Sequence, residues 1–225
     1  MSKREKIVAR TAQGEGDRAG AAACGEDPVR SRIIDATFRV LIEHGYARAN
    51  TREIAKQAKV SKRELYALFG SKQAILAAMI AGRARRMQLP LALPAVDSRK
   101  ALAEALVRFG ATLMREVCHP AVAELFRLAV IEAERSPEVA QALDEGGRKA
   151  SRAALADFLA GAQAKGLIPG AEPETMASQF LALLWGDLQT SLLMRVAQAP
   201  GPAEIERRAR AAAQALLALY PGDAR

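Results

Sequence analysis

Two short stretches carry the residue types suited to gripping a polyanion. Asn50-Thr-Arg-Glu53 sets Thr51 beside Arg52, and Ser61-Lys-Arg-Glu64 sets Ser61 beside Lys62 and Arg63. Hydroxyls bond phosphate oxygens, and guanidinium and ammonium groups neutralise phosphates or reach base edges in a groove. Around them, residues 30–87 hold 13 Lys and Arg against 4 Asp and Glu. That excess of nine positive charges is enough to neutralise several phosphates. Residues 88–225 carry 15 basic and 16 acidic side chains, so the whole net charge of +8 sits in the first two fifths of the chain. A solvated basic face would account for charge alone; its concentration in one segment points to a basic module joined to a near-neutral body.

Catalytic chemistry finds little support. The two histidines are His44, just before Gly45, and His119, next to Cys118. Successive side chains on a helix diverge by about 100°, so Cys118 and His119 make no nucleophile and base pair. No P-loop, GxGxxG fingerprint or HExxH motif is present. The chain is expected to be no enzyme and to need no cofactor or metal. Cys24 and Cys118 stand in no CxxC spacing, which fits a reducing cytoplasm. The longest charge-free runs, Thr175 to Gly186 and Ala211 to Gly222, are 12 residues each, against the roughly 20 that span a bilayer. Behind the opening MSKREKIVAR there is no apolar signal core, so a cytoplasmic protein off the membrane is expected.

The elements that must position these residues read as helices throughout. Ala, Leu, Arg and Glu abound, aromatics are 4%, and no strand-like alternation appears, so the fold class is all-α. Residues 1–26 have no apolar period and read as a flexible basic arm. Asp27-Pro28 opens a helix that Gly45 closes. Asn50 and Ser61 each start a short helix, with a Glu three residues on in the manner of a capping box. Only Lys59-Val60 lies between the two, the spacing of a helix-turn-helix. Ser71 caps a fourth helix reaching Met87, which completes a DNA-binding domain over 27–87; Pro90 and Pro94 mark the boundary. A larger helical domain follows over 98–220, with helices predicted at 98–117, 120–134, 137–165 (with a possible break at Gly146-Gly147), 174–196 and 203–219.

These residues resemble a family. Ile33-Ile-Asp-Ala-Thr-Phe38, Glu43-His-Gly-Tyr46, Asn50-Thr-Arg-Glu-Ile-Ala55, Val60-Ser-Lys-Arg-Glu-Leu-Tyr66, Phe69 and Ser71-Lys72 are similar to the N-terminal domain of TetR-family (tetracycline-repressor-like) transcriptional regulators. Leu125-Phe-Arg-Leu128, Ile131-Glu-Ala-Glu-Arg135 and Gln179-Phe-Leu-Ala-Leu-Leu-Trp-Gly-Asp-Leu188 resemble the ligand-binding domain of its AefR-like branch. The resemblance implies a sequence-specific DNA-binding regulator, a repressor released from its operator by a small-molecule effector. It places Thr51, Tyr66 and Lys72 at phosphates, Arg52 at a base edge, and Ser61, Lys62 and Arg63 at the start of the recognition helix. Two positions depart from the pattern. Lys59 stands where the family usually has Gly, so either the turn is altered or a non-Gly residue bears a left-handed backbone at a cost of about 1 kcal/mol. Glu64 stands where family members often carry a small or hydroxyl residue facing DNA, and a capping role with Ser61 is its simpler assignment.

Helix-turn-helix proteins usually read two half-sites of an inverted repeat in double-stranded DNA, which calls for a homodimer. The two last helices supply the expected interface: Phe180, Leu184, Leu188 and Leu192, with Ala209, Ala213 and Leu216 allowing close approach. The resemblance further implies an effector pocket in the body, with Met114, Cys118, Phe126, Val130, Met176, Trp185 and Gln189 as expected lining. The competing reading is a basic protein of the membrane surface, or one that binds nucleic acid without specificity or effector control, through Arg83, Arg85 and Arg86.

Overall fold

The computed structural model of the protein describes residues 27–92 and 96–222. The predicted arm, Cys24 and Pro94 lie outside them. Among the described residues regular structure is entirely helical, with no strand.

Helix α1 (Pro28–Arg48) starts where Asp27 accepts the Val29 amide at 2.9 Å, with Pro28 preset for the first turn. Gly45 (φ 75°, ψ 168°) kinks the helix rather than ending it, and one more turn runs to Arg48. A Cβ there would meet Glu132 Oε1 at 3.2 Å and the Leu128 side chain at 3.5 Å, so α1 passes close to the body here. Helices α2 (Thr51–Ala58) and α3 (Lys62–Phe69) follow, with Asn50 Oδ1 accepting from the Glu53 amide at 2.8 Å and Ser61 Oγ from the Glu64 amide at 3.0 Å. Lys59, between them, is left-handed (φ 56°, ψ 47°), so the turn keeps its shape and Lys59 bears the strain. Ser71 caps α4 (Lys72–Gln88) through the Ala74 amide.

The body comprises α5 (Arg99–Val117), α6 (Pro120–Ile131), α7 (Glu138–Leu143), α8 (Ala150–Ala164), α9 (Pro173–Trp185), α10 (Leu188–Leu193) and α11 (Pro202–Leu219). At Gly146-Gly147, the predicted weak point, the chain does not break but widens into a π-helical turn, Asp144–Lys149, that leads into α8. The long helix expected over 174–196 is two, because Gly186 (φ 49°, ψ −124°) turns the backbone out of the helical region between α9 and α10. Arg99 secures the end of the body by donating to the carbonyl oxygens of Leu167, Leu217 and Tyr220. No single helix among the described residues is long and apolar enough to cross a membrane.

Two cores hold these helices, each buried Leu, Ile or Phe contributing roughly 1.5–3 kcal/mol. Ile33, Val40, Ile54, Leu65 and Ile75 fill the first, and Leu125, Ala129, Val139 and Leu143 of the body pack against it. Leu102, Leu106, Phe109, Leu159 and Phe180 fill the second. Helix α4 belongs to both: Ile75, Leu76 and Met79 lie in the first core, Ala84 and Met87 in the second.

The second core corrects the expected dimer interface. Phe180, Leu184, Leu188, Leu192, Ala209, Ala213 and Leu216 are all buried within their own subunit, none more than 7% exposed. The cause is packing inside the subunit: α11 lies against α5 and α9, side chains of α9 reach α5 at Gly110, and α10, which carries Leu188 and Leu192, packs against α6. Gly110 of α5 has no side chain, and Leu184, Phe180 and Ala209 come within 3.2–3.4 Å of where its Cβ would stand. The small residues of α11 thus permit close packing inside the subunit. Turned outward on the same two helices are Ser178, Ala182 and Leu183, and Ala211, Gln214 and Ala218.

Candidate functional site

Burial of Ile54, Ala55 and Leu65 sets α2 against α3 and leaves one polar side of the pair in solvent. Arg52, Ser61, Lys62, Arg63 and Tyr66 are exposed there, with Thr51 partly so. Thr51 Oγ1 and Tyr66 Oη are hydrogen-bonded at 3.1 Å, and Lys62 Nζ lies 5.7 Å from the centre of the Tyr66 ring. A hydroxyl pair with a cation beside it, on the exposed side of a helix pair, suits a phosphate.

Lys72, expected at a phosphate, is turned inward. Its ammonium donates to the carbonyls of Tyr46 at 2.8 Å and Ala49 at 3.1 Å and lies 3.9 Å from the Tyr46 ring centre. Burial lowers its pKa from the ordinary lysine value, partly opposed by the carboxylates of Glu138 and Glu132. Other cations are also committed: Arg30 donates to Leu68 O and stacks on Phe69, and Arg32 donates to Ala58 O at the end of α2. The charge excess read from the sequence is therefore partly structural. In compensation, Lys56 and Lys59 are exposed beside the predicted residues. Their spacing from Arg52 along α2 and its cap is the signal that would have found them.

In the body a cavity of about 100 Å³ lies against α4, which contributes Ile80, Arg83 and Met87 to its wall. Arg83 ties three elements together, with its guanidinium 3.2 Å from Glu116 Oε2 of α5 and 4.4 Å from the ring centre of Phe38 in α1. Of the expected lining residues, Phe126, Trp185 and Gln189 are present. Met114, Met176 and Cys118 are not, because their side chains are consumed in the core, at 0%, 0% and 4% exposure. Burial pushes the Cys118 thiol up to about 11. Its neighbour His119 serves as the cap of α6, its Nδ1 accepting the Ala121 amide at 3.3 Å. Val130 is 68% exposed and borders instead an open groove of about 640 Å³ between α1, α6 and α10. Arg83 and Ser151 were missed; a charged residue and a helical serine carry no pocket signal in a sequence.

Residues 33–79 match the family described as bacterial regulatory proteins, tetR family, and residues 104–222 match the AefR-like transcriptional repressor, C-terminal domain. The chain belongs to the TetR family. This TetR-family regulator is 24% identical over 159 residues to the uncharacterized HTH-type transcriptional regulator YvkB of Bacillus subtilis, spanning 71% of this chain and 80% of that one. Its fold is similar to a TetR transcriptional regulator from Agrobacterium tumefaciens (TM-score 0.71, 26% identity, 88% of this chain and 97% of that one). It is likewise similar to the flavonoid-responsive regulator FrrA (TM-score 0.68, 28% identity, 89% and 100%). In the TetR-family regulator the α2–α3 pair is the helix-turn-helix, and the protein is a DNA-binding transcriptional regulator.

Proposed function

We propose that the protein is a homodimeric repressor whose α3 helices enter successive major grooves of an inverted-repeat operator, and that a small molecule entering the cavity beside α4 releases it. The observation that carries this reading is the double membership of α4: the helix that starts in the DNA-binding core also supplies Ile80, Arg83 and Met87 to the cavity wall. A ligand that favours one position of α4 changes the separation of the two heads, and with it the fit to half-sites about one helical turn apart. The similarity to FrrA, named as flavonoid-responsive, supports a small-molecule input.

Pairing is assigned to the outward faces of α9 and α11 around Ala182 and Ala211, whose small side chains let helices of two subunits approach. Ala182→Glu combined with Ala211→Glu would place like charges across that face; sedimentation should then show monomers with unchanged helicity, and persistence of the dimer would move the interface elsewhere.

Selection of genomic fragments on the purified protein at physiological salt tests the main reading. Enrichment of an inverted repeat is the expected result, and compounds can then be screened for its release. Retention without a consensus would reduce the protein to a charge-driven nucleic-acid binder.

A further inference from the structure

The wall of the cavity beside α4 contains a polar atom with nothing to bond. Ser151, near the start of α8, is 3% exposed, its Oγ is buried without a hydrogen-bond partner, and it lines the cavity. A serine inside a helix ordinarily satisfies its hydroxyl on the carbonyl four residues back. Here that residue is Gly147, within the π-helical turn, and the Ser151 hydroxyl makes no bond to it. Such turns occur frequently at functional sites, and unbonded buried hydroxyls are rare because desolvation without a bond is costly.

Size and charge narrow what could satisfy that hydroxyl. The cavity volume is about 100 Å³, two thirds of the roughly 150 Å³ that accommodates benzene and well short of the roughly 300 Å³ at which drug-sized sites begin, so a single small ring is the most it takes. Met87, Leu113, Val122, Leu125 and Trp185 make most of the surface apolar. Its two cations are already matched, Arg83 by Glu116 at 3.2 Å and Arg148 by Asp144 at 2.6 Å. No uncompensated charge is left to receive an ionised ligand.

We propose that this cavity takes an uncharged molecule about one aromatic ring in size bearing a hydroxyl or carbonyl group, and that Ser151 selects it by hydrogen bonding to that group. The proposal rests on the cavity being the effector site and adds the chemical class of effector.

Trp185 is the one tryptophan of the chain and lines the cavity, so its fluorescence reports occupancy directly. The full-length protein is titrated with phenol, toluene and benzoate. Phenol should bind about 3- to 10-fold more tightly than toluene, the gain typical of one hydrogen bond, and benzoate more weakly than both. Ser151→Ala should abolish the preference for phenol while leaving toluene binding and the thermal midpoint intact or raised. Gln189→Leu, which removes the amide in the same wall, should keep the preference. Equal affinities for phenol and toluene, no fluorescence response to any of the three, benzoate as the best ligand, or a preference that survives Ser151→Ala but not Gln189→Leu would each overturn the proposal. Phenol binding that leaves operator affinity unchanged would uphold the ligand class and refute the effector role. Operator release by a larger or charged compound that displaces phenol would do the reverse.

Discussion

Thr51 Oγ1 and Tyr66 Oη stand 3.1 Å apart, a single hydrogen bond that ties the first turn of α2 to the middle of α3 across the left-handed turn at Lys59. Each hydroxyl retains capacity for a further bond, so the pair can receive a phosphate oxygen without breaking its own contact. Tyr66 is 41% exposed, and an exposed hydrogen bond contributes little to folding. Tyr66→Phe is therefore expected to weaken operator binding about 3- to 10-fold while changing unfolding free energy by less than about 1 kcal/mol. Gel-shift titration and urea unfolding of the same preparation check it. A stability loss large enough to explain the affinity loss would make Tyr66 a packing residue.

Lys72 is expected to behave in the opposite way. Its ammonium closes the end of α1 on the carbonyls of Tyr46 and Ala49, and hydrogen bonds from a charged donor contribute more than neutral ones. Lys72→Ala should cost about 1–3 kcal/mol of stability and leave the salt dependence of DNA binding unchanged. Lys62→Ala, by contrast, should leave stability alone and shallow the slope of log affinity against log salt by about one. A slope shallowed by Lys72→Ala would show that this ammonium also reaches a phosphate.

Arg52, Lys62 and Arg63 are all exposed on the helix pair, and base readers differ from backbone contacts in how their loss is distributed. Arg52→Ala and Arg63→Ala are expected to relax preference at particular base pairs by about 1–3 kcal/mol each. Sequencing of the DNA retained by each variant measures this; a loss spread evenly over all sequences would assign them to the phosphate backbone.

How far the sequence disclosed this molecule depended on whether a signal was local. Caps are local, so Asn50, Ser61, Ser71 and Ser98 all start helices where the sequence places them. The helical period of the last two helices was legible too, but not which side of each stripe meets α5, because an apolar face looks the same against its own core as against a second subunit. Phe180 and Ala209 were misassigned for that reason. The inward turn of Lys72 was not legible because a lysine at the start of a helix carries no mark of whether its carbon chain leads outward or back to a carbonyl 26 residues away. Ser151 was invisible for a similar cause: it follows directly on a π-helical turn, and two adjacent glycines indicate a weak point without saying that the helix widens there.

Lys59 offers a direct measure of strain in the reading head. Its φ of 56° is a conformation that costs a residue with a Cβ about 1–2 kcal/mol, offset in part by the greater freedom glycine brings to the unfolded chain. Lys59→Gly should raise stability by about 0.5–1 kcal/mol, while Lys59→Ala, which keeps the Cβ, should not. Both remove an exposed cation beside the proposed DNA contacts, so both should weaken DNA binding alike. Urea unfolding of the two variants separates the effects, and equal stabilities would mean that the turn relaxes to avoid the strain.

Cys118 gives the pH dependence. Burial raises its thiol from 9.0 to about 11, against the smaller opposing influence of Arg208. The neutral thiol is the form the fold favours, so its contribution is fully present below pH 9 and is lost as pH rises through about 11, where the unfolded chain would already hold the thiolate. The same shift controls reactivity, since the thiolate is the nucleophile. At pH 8 the thiolate population is about 100-fold smaller than for a thiol of pKa 9.0. In a Cys24→Ser variant, iodoacetamide should accordingly modify Cys118 at least about 100-fold more slowly in the native protein than in urea, followed by mass spectrometry. A native rate within about tenfold of the unfolded one would mean that the α5–α6 corner opens readily, and that the core around Cys118 is accessible to solvent in the folded regulator.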